Sequence, residues 1–190
     1  MRRLLAILLT IILSGCAGVG LMPTSDPNIK IQQAYRMIDE DRALIAEDLI
    51  RQAMALYHES GNTEGMAEAY FTYGNLYKHP TYHNNSAAFE KFGTYDGTYK
   101  KSIENYKEAI KQFESAGSEI GVVKSLTSIG EAYNLKNDKI TSCLYYEKAL
   151  ARYHAGKESG AITKEPVIYV HGAMNTGQII EALMKRDGCT

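Results

Sequence analysis

From Ile29 onward, apolar residues return every three or four positions, the period of a helix with one buried face. Ile31, Ala34, Tyr35 and Ile38 share a face of the first such stretch. Leu44, Ala46, Leu49, Ile50, Ala53 and Tyr57 mark a second helix, closed by Gly61-Asn62. Met66–Tyr77 reads as a third, with Ala69, Tyr70, Tyr73 and Tyr77 inward. The period then fails over His79–Thr98, which holds Pro, Asn, Asp and Gly and one short helical candidate, Ser86–Phe92. Helix resumes over Tyr99–Glu114 and ends at Gly117. Val122–Tyr133 and Thr141–Tyr153 form another pair around Lys136-Asn137-Asp138. Gly156–Gly160 is a further break, and Ile179–Lys185 reads as a terminal helix. The predicted class is all-α. The run Val167–Val170 (VIYV) has strand propensity, so a short strand there stays open.

The helices recur as pairs. Small residues fall at Ala34, Gly74 and Gly130 in the first helix of each pair, each with a large residue three positions on: Met37, Tyr77 and Tyr133. The second helices carry small–large–small triplets: Ala46-Ile50-Ala53, Ser102-Tyr106-Ala109 and Ser142-Tyr146-Ala149. The triplet starts 12 positions after Ala34 and after Gly130, but 28 after Gly74. The middle pair therefore carries 16 extra residues between its helices, and they fall in the broken segment. Without them the period is 40 throughout. A small residue lets the partner helix approach, and a large one a turn away fills the gap. A lone pair cannot bury its apolar face, so such pairs must stack.

This pattern resembles the tetratricopeptide repeat family. Leu126, Ile129, Gly130, Tyr133, Ser142, Tyr146 and Ala149 match both helices of the motif, and Tyr70, Tyr73, Gly74 and Tyr77 match its first helix. In the first pair Ala34 and Met37 stand where the family has Gly and an aromatic residue. The resemblance implies antiparallel helix pairs stacked as a right-handed superhelix (an α-solenoid), with about three repeats and a C-terminal capping helix. Gly172 lies 42 positions after Gly130, which makes Pro166–Asn175 a candidate fourth first-helix or cap. The resemblance also implies a non-enzymatic scaffold that binds a protein or peptide in a groove lined by the first helices. By matched position the groove holds Tyr35, Ile38, Phe71, Asn75, Lys78, Lys124, Thr127, Glu131 and Asn134. One subclass grips a peptide carboxylate with Asn and Lys from successive helices. Asn75 fits one of those places, but Glu131 stands where a second Asn is needed.

Ahead of the repeats stands MRRLLAILLTIILSGC, with basic, apolar and small-residue regions in the order of an export signal. The apolar run is short of the roughly 20 residues of a spanning helix. Leu13-Ser14-Gly15-Cys16 resembles the bacterial lipobox, which implies cleavage before Cys16 and lipidation of that cysteine. The alternatives are an uncleaved anchor or a plain secretory signal. The expected organisation is a signal peptide over 1–15, a lipidated tether over 16–27, and a repeat domain over 28–190 with an inserted loop at 79–98. Two acyl attachments give stable membrane anchoring where one chain is marginal. In an enteric-type host Ala17, in place of Asp, favours the periplasmic face of the outer membrane. The leading expectation is an envelope adaptor; the rival is an immunity lipoprotein that neutralises a secreted toxin.

Composition narrows the remaining choices. A net charge of -1 over 190 residues, with no basic stripe, leaves nothing to attract nucleic acid. In an oxidising compartment Cys143 and Cys189 can pair, or they can stay a buried thiol and a loose one. Fourteen Tyr and no Trp suit packing with wet hydroxyls. The Val167-Ile168-Tyr169-Val170-His171-Gly172 run looks like the strand and turn of an α/β-hydrolase oxyanion hole, but 18 residues leave no room for the serine elbow, acid and histidine that must follow. His79 and His83 have the four-residue spacing of helical metal ligands, yet Pro80 between them argues against a shared helix. No cofactor, metal or small-molecule substrate is expected. The inserted loop carries Tyr82, Phe89, Phe92 and Tyr95, too aromatic for simple disorder. Either it adds Tyr82, Phe92 and Tyr95 to a partner site, or it only covers an apolar edge.

Overall fold

A computed structural model describes residues 21–165, 168–169 and 173–189. The export signal, Cys16 and the His171-Gly172 turn lie outside the described residues. In chain order the helices are α1 (Pro27–Asp39), α2 (Ala43–Glu59), α3 (Thr63–Lys78), α4 (Pro80–Asn84), α5 (Ser86–Lys91), α6 (Lys100–Ala116), α7 (Glu119–Leu135) and α8 (Lys139–Glu158). A two-residue ladder follows, β1 (Ile168–Tyr169) against β2 (Ala173–Met174), and then α9 (Thr176–Asp187). The elements among the described residues are otherwise helical. α1 packs on α2, α3 on α6 and α7 on α8, and each pair packs on the next. The architecture is a tetratricopeptide-like α-solenoid. Among the described residues no helix is long and apolar enough to cross a membrane.

Local chemistry sets the helix ends. The Asp26 carboxylate caps α1 by accepting from Asn28 N–H at 2.8 Å, with Pro27 at the first helical position. Asn62 caps α3 through Gly65 N–H, and Asp138 caps α8 through Thr141 N–H. Asn175 and Gln178 form a reciprocal capping box on α9. Gly117 ends α6 at φ +72°, a left-handed turn that a side chain would strain.

The repeat spacing becomes packing in the core. A Cβ on Gly74 would lie 2.4 Å from the Tyr106 ring, and one on Gly130 would lie 2.6 Å from the Tyr146 ring. Both rings are fully buried. A second series of contacts joins each second helix to the next first helix: Tyr57 on Gly65, Phe113 on Gly121 and Tyr153 on Gly177. These glycines are spaced 56 positions apart, twice. The third contact places α9 where a fourth first-helix belongs. The expectation for Pro166–Asn175 is corrected accordingly: the fourth first-helix is Thr176–Asp187, and β1 and β2 fall within the earlier range. Gly172 lies near the expected count, but 24 residues separate Tyr153 from Gly177 where 8 suffice in the other repeats. The extra 16 hold the strand-forming run and its antiparallel partner, with Ile168 opposite Met174.

The inserted segment is ordered into α4 and α5. Pro80 opens α4, and His79 becomes its cap by accepting from Thr81 N–H at 3.2 Å. Tyr82 and Phe89 are 0% exposed and join the core of the first repeat. The Tyr82 hydroxyl donates to Thr94 O at 3.0 Å and accepts from Asp96 N–H at 2.7 Å. Asn85 donates to Asp41 O, which seats the segment on the α1–α2 turn. At the far end Cys143 of α8 is disulfide-bonded to Cys189, with 5.3 Å between Cα atoms.

Candidate binding groove

One side of the stack is lined by the first helices α1, α3, α7 and α9. Tyr35, Asn75, Glu131 and Asp187 occupy one register on these four helices, and Ile31, Phe71, Thr127 and Leu183 occupy another. Asn75 donates through Nδ2 to the Tyr35 hydroxyl at 3.0 Å, and its Oδ1 accepts from the Tyr106 hydroxyl at 2.7 Å. Thr72 Oγ1 donates to Tyr35 as well, at 3.3 Å. Burial pushes the Tyr35 and Tyr106 phenols above their ordinary pKa, with Glu68 and Glu131 adding negative potential to each in turn. Asn75 is thus a structural bridge, and its amide is already engaged within the chain. Together with Glu131 at the second place, that argues against a carboxylate clamp.

Two ion pairs span α3 and α7 in opposite senses. Lys78 Nζ lies 2.5 Å from Glu131, and Lys124 Nζ lies 3.7 Å from Glu68. Lys124 also sits over the Phe71 ring at 5.0 Å, and Lys78 over Tyr106 at 5.7 Å. The Thr127 hydroxyl donates to Val123 O at 2.9 Å and is satisfied within its own helix. Asn134 is half-buried near the end of α7. Ile38 is buried and belongs to the core rather than the groove.

Between α3, α7 and α9 the groove deepens into a pocket of about 230 Å³. Phe71 forms one wall, Thr127 and Ser128 the floor, and Ile179, Ile180 and Leu183 of α9 the opposite wall. Lys124 and Glu131 flank it seven positions apart on α7, roughly 10 Å along the helix. Ligand pockets run to roughly 300–1,000 Å³. This one is smaller, the size for an apolar side chain between two charges. Sequence reasoning brought Phe71, Lys124, Thr127 and Glu131 to the site and missed the whole α9 wall. The signal for that wall is the third aromatic–glycine contact, Tyr153 on Gly177.

The aromatic residues of the inserted segment do not meet the pocket. Tyr82 is core, so its assignment to a partner surface is corrected: both its ring and its hydroxyl are enclosed. Tyr95 is half-buried, with its hydroxyl 3.1 Å from His83 Nδ1. Phe92 is 67% exposed, at the turn after α5. Burial holds His83 below its ordinary pKa, against the opposing pull of Asp96. Among the described residues no group of three or more His, Cys, Asp or Glu could hold a metal ion.

No protein-family model matches the chain. Over 119 residues it is 29% identical to Heat shock protein STI1 of Saccharomyces cerevisiae. The match covers 61% of this chain and 19% of that protein, so the chain spans about a fifth of the relative's length.

Proposed function

We propose that this chain is a non-catalytic, lipid-anchored scaffold of the bacterial envelope that holds a protein or peptide partner in the groove. The observation that carries the reading is the pocket between α3, α7 and α9: apolar walls, one cation, one anion, and room for a side chain. The partner segment presents an apolar residue there, between the Lys124–Glu68 and Lys78–Glu131 ion pairs. The distant likeness to a heat shock protein over 61% of the chain fits a protein-binding role. Anchoring rests on the lipobox resemblance at Cys16, and the Cys143–Cys189 disulfide fits an exported chain.

Chemical crosslinking from native membranes tests the reading, with Leu183→Asp and Lys124→Glu set beside the unaltered protein. Both variants are expected to lose the captured partner while keeping their helical content. Capture that survives both substitutions overturns the groove assignment. Labelled palmitate tests the anchor independently: incorporation is expected, and its persistence in Cys16→Ala rules that cysteine out.

A further inference from the structure

The outward faces of the three second helices differ in kind. Taken in register with the small–large–small triplets, α2 presents Leu44, Asp48 and Arg51, and α6 presents Lys100, Glu104 and Lys107. At the same places α8 presents Ile140, Leu144 and Glu147. Ile140 is 86% exposed and Leu144 is 46% exposed, and Leu135, across the α7–α8 turn, is 47% exposed. Among the described residues the Ile140 side chain joins no hydrophobic core, and none of these residues lines the groove pocket. The charges around the strip form no ion pair among the described residues, neither Glu147 with a cation nor Lys136 and Lys139 with a carboxylate, although Lys136 lies over the Tyr133 ring at 5.5 Å.

We propose that this strip of α8 is the contact between two copies of the chain, packed antiparallel about a two-fold axis between Ile140 and Leu144. Ile140 of each copy meets Leu144 of the other, so both apolar residues leave water. Glu147 of each copy falls beside Lys136 and Lys139 of the other. A two-fold contact must complement itself, and a strip with cations before its apolar centre and an anion after it does so when reversed. A bilayer surface offers no fixed charge in register with Glu147, whereas a second copy supplies one. The strip is short against the roughly 1,200–2,000 Å² of a stable interface, so the association is weak and reversible.

Sedimentation velocity of the full chain in detergent, over a wide concentration range, tests this. The expected result is a monomer–dimer equilibrium that Ile140→Glu and Leu144→Glu each weaken by roughly tenfold or more. Glu147→Lys is expected to weaken it alone, and to recover it when combined with Lys136→Glu and Lys139→Glu. All five positions are exposed, so helical content and melting temperature serve as folding controls. A monomer at every concentration, or a dimer indifferent to the Ile140 and Leu144 changes, overturns the proposal. Failure of the charge-reversed triple variant to recover overturns the antiparallel register. A monomer whose Ile140→Glu variant instead loses a different protein in crosslinking assigns the strip to that protein and overturns the self-contact.

Discussion

Asn75 joins three helices with one amide: Tyr35 of α1, its own α3, and Tyr106 of α6. Asn75→Ala leaves the buried Tyr106 hydroxyl without its acceptor. The cost of a stranded buried polar group is about 1–3 kcal/mol, which urea denaturation should read as a lower midpoint with an unchanged slope. Tyr106 and Tyr146 occupy the same place in successive repeats and bury the same ring against a glycine, yet their hydroxyls turn to different helices. Tyr106 donates to Asn75 of its own pair, whereas Tyr146 donates to Asp187 of α9 at 2.8 Å. The glycine–tyrosine contacts were legible in the chain, because size alternation at fixed spacing has one simple packing solution. The choice of hydroxyl partner was not, since it turns on which polar group the superhelix brings near. Tyr82 shows the same limit. Its aromatic ring marks it as important without saying whether it faces core or partner.

α9 is held on its neighbours by acidic groups. The Arg186 guanidinium holds the Asp187 carboxyl below its ordinary pKa, with Tyr146 helping. Burial works against Glu165, but the Thr176 N–H and hydroxyl, Tyr153 and Lys157 outweigh it and lower that group too. Each folded pKa lies beneath the unfolded value of about 4. The stabilisation is therefore complete above the unfolded value and is lost as pH falls through the folded one. The share of stability these two carboxylates supply should stay level from neutral pH down to about 5 and drop below about 4, with Asp187→Asn flattening part of that drop in urea melts across a pH series. The lowered pKa of His83, by contrast, removes stability as pH falls below about 6.5. The inserted segment gives a contrasting element. Removing Thr81–Thr94 strips Tyr82 and Phe89 from the first core, and loss of two large buried aromatics costs several kcal/mol, about 3–5 each. A clearly lower melting temperature with partner capture intact is the expected outcome, because none of that segment lines the pocket. The existence of both elements was legible: the segment from the interrupted period, α9 from its apolar spacing. The position of α9 as a fourth first-helix was hidden by the 16 residues that precede it.

Across the whole molecule the groove depends on an element that the disulfide pins. Cys143→Ser with Cys189→Ser frees the end of α9, whose Ile179, Ile180 and Leu183 form one wall of the pocket. Removing a crosslink of this separation costs about 2–4 kcal/mol, so the double variant should melt earlier and capture its partner less well. Stability lost with capture unchanged would show that α9 contributes nothing to binding. Helix class, pair count, the period of 40 and the interruption in the middle repeat were all written in residue order. Those features follow from neighbours a few positions apart, where side-chain size and polarity act through fixed helical geometry. The fourth wall of the groove, the burial of Tyr82, the opposed ion pairs between α3 and α7 and the bare apolar strip on α8 came only with the folded stack. Each depends on residues tens of positions apart meeting across helices, and no local periodicity encodes such meetings.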